Sequence, residues 1–209
     1  MSTRERLIDG ALAALREHGI AGVSARTVAA AAGVNQALVF YHFGSVDDLL
    51  TTACEAATRE RVAAYRDRLA AVSTLRELLD LGRELHDEER RLGNVTVLAQ
   101  LLAGAQADAR LAEPVRAALH LWTAEIEAAL RRILDGSPLA ELADPASLAT
   151  AVAAAFIGLE LYDGVDRAAT AAALDTLARL GALAEVMDEL GPVARRALRR
   201  SVRRATDRK

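Results

Sequence analysis

The sequence predicts an all-α protein, with a small three-helix head of about 45 residues at the N-terminus followed by a larger helical body. Three observations predict it. Apolar residues recur at threes and fours along nearly every segment. Runs of β-branched residues are absent, and turn-forming residues gather at a few places in a chain with only 13 Gly and 4 Pro.

The elements follow in order. Leu7, Ile8, Ala11, Leu12 and Leu15 mark a first helix that Gly19 stops, after which Ile20 and Val23 return to the same core. Ser24 can cap a second helix over 25–32 whose inner side includes Val28 and Ala32. Gly33 breaks it, Val34 tucks in, and Asn35 can cap a third helix to about residue 42. Ser45 followed by Asp48 opens a long fourth helix from Val46 to about 70, and Thr74-x-x-Glu77 is a capping box for a fifth through the late eighties. Gly93 marks a joint before "VTVLAQLLAGAQ", and Pro114 suits a first helical turn. Leu119, Trp122, Ile126, Leu130 and Ile133 then form an amphipathic stripe. A loop is expected over 135–145. Two long helices follow at 147–162 and 166–190, the first lined by Leu148, Val152, Phe156 and Leu159, the second by Leu174, Leu177, Leu180 and Leu183 or Ala184. "GP" at 191–192 starts an arginine-rich last segment. The expected division is therefore 1–50, 51–190 and 191–209.

Composition narrows the function. At 52 % apolar the chain can bury a sizeable core, and no run approaching 18 uncharged apolar residues suggests a membrane span. "MSTRERLIDG" mixes charges without an apolar stretch, so no secretory signal is expected. Cys54, the lone cysteine, excludes an internal disulfide and agrees with a cytoplasmic location. No cofactor or metal is expected. The net charge of −3 is uneven: residues 195–209 carry eight Arg or Lys against one Asp.

The second helix, the turn at Gly33 and the short third helix make a helix-turn-helix candidate. Val34 and Val39 can face inward, leaving Gln36, Ala37 and Phe40 on the outer face with Tyr41 beside them. Three rings, Phe40, Tyr41 and Phe43, fall within four positions of a chain that has one Trp, three Tyr and three Phe in all. By geometry alone this stretch fits a DNA-reading edge and an aromatic-closed helical core equally well.

Residues 5–50, with "VSARTVAAAAGVNQALVFYHFGSVDDLL" at their heart, resemble the N-terminal DNA-binding domain of the TetR family of bacterial transcriptional regulators. The resemblance rests on Ala-x-x-x-Gly-Val at the turn, the aromatic end of helix three, its terminal Phe and the Ser-capped fourth helix. The remaining three quarters match by length, layout and position. What the resemblance implies is a sequence-specific regulator, most simply a homodimeric repressor released from a palindromic operator by a small molecule. Ser24 would bring its hydroxyl or backbone N–H to a phosphate, and Arg26 would reach a guanine edge or the backbone. Asn35 would open the reading helix, and Gln36 would pair with adenine. Ala37 would allow close approach to a thymine methyl, and Tyr41 would meet the backbone. His42 and Phe43 would close the head's core. Three positions depart from the family pattern: Phe40 replaces a Tyr, Val46 a Lys and Leu38 a Thr, so three polar phosphate-facing groups are expected to be lost. Residues 1–50 hold only four Arg against five acidic residues.

The resemblance places dimer contacts on the last two long helices, at Ala154, Ala155, Phe156, Leu159, Leu174, Leu177 and Leu180. It places an effector pocket among residues 74–134, where His86, Asn94, Thr96, Gln100, Gln106, His120 and Trp122 are the candidates; the apolar surroundings suit an apolar or weakly polar small molecule. The arginine tail, with Ala194, Leu198 and Val202 on one side, either adds phosphate contacts or is a solvated last helix; its apolar face is thin for a lipid surface. No converging nucleophile, base or nucleotide loop points to an enzyme. The alternative is a helical binding protein that kept this fold and lost DNA reading, binding a small molecule or a protein.

Overall fold

The computed structural model describes residues 1–135, 137, 140, 144–188, 190–191, 193–194, 196–197 and 200. Among them are nine helices and no strand: α1 Thr3–Gly22, α2 Ala25–Ala32, α3 Ala37–Phe43, α4 Val46–Ala71, α5 Leu75–Leu92, α6 Asn94–Ala107, α7 Ala109–Leu134, α8 Pro145–Asp163 and α9 Arg167–Asp188. Most of the expected loop over 135–145, most of the arginine tail, and the side chains of Thr96, Leu183 and Ala184 lie outside the described residues.

By packing, the chain divides into two units, Met1–Ala63 with Glu89–Leu121, and Ala64–Glu88 with Trp122–Lys209. This grouping differs from a boundary at residue 50 because α6 packs on α1.

In the first unit, Leu7, Ala11, Val28, Val39, Leu49 and Ala53 make the centre of one core. Each fully buried aliphatic side chain of Leu or Val size contributes about 1.5–3 kcal/mol. Gly10 lets α1 and α2 touch: a Cβ there would stand 2.8 Å from Ala32 Cβ and 2.9 Å from the Val28 carbonyl oxygen. α1 is capped by Ser2 and Glu5, each bonding the other's backbone N–H. Its regular winding breaks at Gly19, as its sequence predicts, with φ 66°. The break leaves the Ile20 N–H without a partner in its own helix, and Gln100 Oε1 of α6 accepts it at 3.3 Å. Arg16 adds a 3.1 Å bond to Asn94 Oδ1 at the start of α6.

The second unit packs Tyr65 and Leu69 of α4, Leu78 and Leu81 of α5, Leu130 and Leu134 of α7, and Ala149 of α8. The Thr74/Glu77 box forms as expected, with Glu77 N–H to Thr74 Oγ1 at 3.1 Å and Thr74 N–H to Glu77 Oε2 at 3.2 Å. Hydrogen bonds from the Ser73 backbone and side chain hold the Glu77 carboxyl below its usual range. His86 of α5 is buried, its Nδ1 2.7 Å from Glu160 Oε1 and its Nε2 3.7 Å from Asp163 Oδ1. Arg83 donates to Asp175 of α9 at 2.9 Å.

One expectation is corrected. Pro114 does not open a helix: α7 begins at Ala109, so Pro114 sits inside it and removes one backbone hydrogen bond just beyond the first turn. By length and composition α8 is apolar enough to cross a membrane, with 11 % of it buried within the chain. Glu160 and Asp163 interrupt its last turn, and both are buried beside His86, so it holds no uncharged run of that length.

Cys54 is buried, and burial, reinforced by Glu55, pushes its thiol from an ordinary 9.0 up to about 12. A group raised in this way stabilises the fold fully below its unfolded pKa, and that contribution disappears as the pH climbs through the folded value. Native protein at neutral pH is expected to react with a maleimide far more slowly than urea-unfolded protein; equal rates in a labelling time course would contradict the buried placement.

Candidate nucleic-acid interface

The turn between α2 and α3 is built by satisfying backbone groups. Gly33 adopts φ 63°, the left-handed conformation that glycine takes without strain. Its N–H bonds to the Ala30 carbonyl at 3.1 Å, and the Val34 N–H returns to the Ala29 carbonyl at 3.0 Å, a Schellman closure of α2. The Arg6 guanidinium then donates to the Ala32 and Gly33 carbonyls, both at 2.8 Å, taking up acceptors that the helix end exposes. On the far side of the turn, Asn35 Oδ1 accepts the Ala37 N–H at 2.9 Å and starts α3.

This frame turns α3 so that Val39 is fully buried while Val34, Leu38 and Phe43 pack against the same core. Asn35, Gln36, Ala37, Phe40 and Tyr41 are exposed together, Phe40 at 53 % and Tyr41 at 81 %. The His42 ring stands edge-on to Tyr41, with centroids 4.9 Å apart, and Phe43 closes the core beneath the Arg4 guanidinium at 5.1 Å. The inward and outward sets are those the helical spacing predicts.

The arginines of the head are mostly engaged. Arg4 lies over Phe43, Arg6 holds the turn, and Arg16 bonds Asn94. Arg26 is exposed on the first turn of α2 and has no hydrogen-bond or ion-pair partner among the described residues. The Gln36 side chain makes no cap to α3. Ser24 caps α2 as expected, its Oγ accepting the Thr27 N–H at 3.2 Å. Its own N–H is taken by Thr27 Oγ1 at 2.8 Å, and its hydroxyl lies 3.0 Å from the same oxygen, so both phosphate donors expected there have a neighbour inside the cap.

The three departures also resolve unequally. Leu38 and Val46 are half-buried against the core. Phe40 alone of the three is exposed.

The other predicted residues are dispersed. Asn94 and Gln100 belong to the first unit, where Asn94 also donates to Glu89 at 2.8 Å and Gln100 receives Ile20. His86 and Trp122 belong to the second, His86 against Glu160 and Trp122 with its ring centroid 6.1 Å from that of Tyr65. The dimer candidates lie on α8 and α9: Leu159 and Leu177 line an open apolar groove with Ala155, Gly158 and Tyr162, Phe156 and Leu174 are half-buried, and Leu180 is 56 % exposed. Sequence reasoning missed Arg6 and Gly10. Their signal was present only as an Arg and a Gly on the first helix, with nothing to say which helix they would meet.

Comparison with known proteins bears directly on this head. The family model described as bacterial regulatory proteins, tetR family, matches residues 7–53. That match covers the head, so this part of the chain is similar to TetR-family regulators. The head is thus of the helix-turn-helix type found in those DNA-binding transcription regulators. Among solved structures the chain is similar to a TetR-family transcriptional regulator from Rhodococcus sp., at 26 % identity and TM-score 0.70, covering 90 % of this chain and 100 % of that one. It is also similar to the multidrug binding protein EbrR complexed with proflavin, at 28 % identity and TM-score 0.60, covering 86 % and 99 %. FadR from Bacillus subtilis in complex with stearoyl-CoA shares the fold, at 14 % identity and TM-score 0.70, covering 84 % and 96 %. Comparison with curated proteins found no match.

Replacing Arg6 by Met keeps the side chain's length and removes both bonds to the end of α2. The expected cost is about 1.5–3 kcal/mol, the scale of a hydrogen bond to a charged group. Faster amide exchange at Gly33 and Val34 than elsewhere in the first unit should accompany it. Unchanged urea stability together with unchanged exchange would show that Arg6 does not hold the turn.

Proposed function

We propose that the protein is a homodimeric repressor that reads a palindromic operator through α3 and is released by a small molecule. The observation that carries this reading is the exposed set Gln36, Ala37, Phe40 and Tyr41 beside the uncommitted Arg26. Side chains with unused donors beside a small-residue approach are what the major groove rewards: a Gln amide pairs with adenine N6 and N7, and an Arg guanidinium with guanine O6 and N7 or with phosphate. Asn35 sets the start of the reading helix, the Ser24 hydroxyl reaches a phosphate, and the Tyr41 phenol has the exposure to do the same. Residues 1–50 carry the reading function, 51–190 regulation and dimerisation, and 191–209 an accessory basic segment whose attraction to DNA needs only charge within reach. A regulator with chromosomal DNA as its target works in the cytoplasm.

Two copies are needed because a palindrome mirrors a twofold axis. The α8–α9 surface supports that assembly. Its open groove, about 660 Å³, is lined by Ala155, Leu159, Tyr162, Ala173 and Leu177 among others, and Leu180 is exposed on the same helix pair. A helix as apolar as α8 and as little buried within its own chain has an interface to gain from a second copy. A small-molecule effector accords with the likeness to EbrR, whose structure holds proflavin.

Selection of bound duplexes from a random pool, at low and near-physiological salt, tests DNA reading. A palindrome is the expected product. Gln36→Ala and Arg26→Ala should each cost about 1–3 kcal/mol where a base pairing is lost. No enrichment at either salt, or binding removed only by deleting residues 195–209, would overturn the reading in favour of a binding body with a nonspecific basic tail.

Assembly is tested separately. Leu177→Arg with Leu180→Arg should convert a dimer to a monomer in sedimentation velocity while helical content is kept, and operator affinity should fall at least tenfold. A wild-type protein that sediments as a monomer at micromolar concentration would remove the twofold arrangement.

A further inference from the structure

We infer that Phe40 is a base-reading residue that recognises the 5-methyl group of thymine, rather than a backbone anchor of the reading helix. The inference rests on the proposed DNA-reading function and names what one part of that surface reads.

α3 buries Val39 completely and packs Leu38 and Phe43 against the core, so its inner face is fully supplied with apolar groups. Phe40 is surplus to that core. It stands 53 % exposed on the outer face, three residues after the exposed Ala37 and four after the exposed Gln36. Residues at those spacings share one strip of a helix. With Tyr41 exposed beside it, Phe40 forms part of a two-ring surface that a partner can cover.

The chemistry of the groove selects the contact. A phenyl ring has no donor for a phosphate oxygen, and the phosphates are the most strongly hydrated part of the duplex. On the base edges of the major groove, the apolar group is the thymine methyl, and Ala and Phe are side chains suited to it. Ala37 adds little bulk at the start of α3, so the helix can come close enough for the ring to reach a base edge. A rise of 1.5 Å per residue puts Phe40 about 6 Å along the helix from Gln36, which is about two base-pair steps of 3.4 Å. Tyr41, 81 % exposed, carries the hydroxyl that a backbone contact needs. The two adjacent rings thus divide the work: the phenol of Tyr41 goes to the backbone and the phenyl of Phe40 to a methyl.

The test uses the full-length protein and the operator duplex returned by selection. Each thymine of the half-sites is replaced in turn by uracil, which removes the methyl and keeps the base pair. For the wild-type protein, affinity should fall about fourfold per methyl at one thymine of each half-site, the scale of one methyl group withdrawn from water. Phe40→Ala, whose circular dichroism should match the wild type because the ring is outside the core, should bind the thymine and uracil duplexes alike at that position. Phe40→Leu should restore part of the preference. Wild-type affinity indifferent to uracil at every position overturns the inference, as does a Phe40→Ala protein that keeps the full preference. A pool that yields no preferred duplex overturns the DNA-reading function itself, and the inference with it.

Discussion

The reading head depends on how closely α1 and α2 approach each other. Gly10 on α1 leaves room for Ala32 and the Val28 carbonyl, and no larger residue fits there without moving one helix off the other. That approach brings Arg6 within reach of the carbonyls at the end of α2. Once the end of α2 is held, the left-handed Gly33 and the Asn35 turn leave α3 one way to leave, with Val39 inward. Everything exposed on α3 follows from that constraint, since a helix seven residues long has too few hydrogen bonds to hold itself in water.

The head is also economical with charge. Three of its four arginines serve structure, and its acidic residues outnumber its basic ones. In the proposed complex, less of the binding free energy comes from counterion release than in a strongly basic head, and more from shape and base-edge contact. Leu38 and Val46 pack against the core from which α3 projects.

α8 inverts the usual distribution of polarity on a surface helix. Its carboxylates, Glu160 and Asp163, are inside with His86, while Ala155, Leu161 and Tyr162 are outside. Buried ionisable groups persist where they are paired and hydrogen-bonded, and His86 supplies that pairing from α5. The apolar exterior is the complementary half of the arrangement, and it is why α8 satisfies a membrane-span criterion while carrying charge in its last turn.

Most helices of this protein were legible in the sequence by itself. Apolar spacing and local caps located α2, the start of α4, the Thr74 box of α5 and the two long helices α8 and α9, because such signals act within one turn of the chain and need no partner. The outer face of α3 was legible for the same reason, since one inward residue, Val39, determines the rest by geometry. Tertiary structure decided what a side chain meets. It made Asn94 and Gln100 braces of α1, since breaking α1 at Gly19 frees a backbone N–H that only a neighbouring helix can satisfy. It packed Leu38 and Val46, half-buried, against the core, and it joined His86 to carboxylates 74 and 77 positions away. A lone polar residue in a sequence carries no sign of its partner, because a hydrogen bond across helices is set by packing distance and not by spacing along the chain.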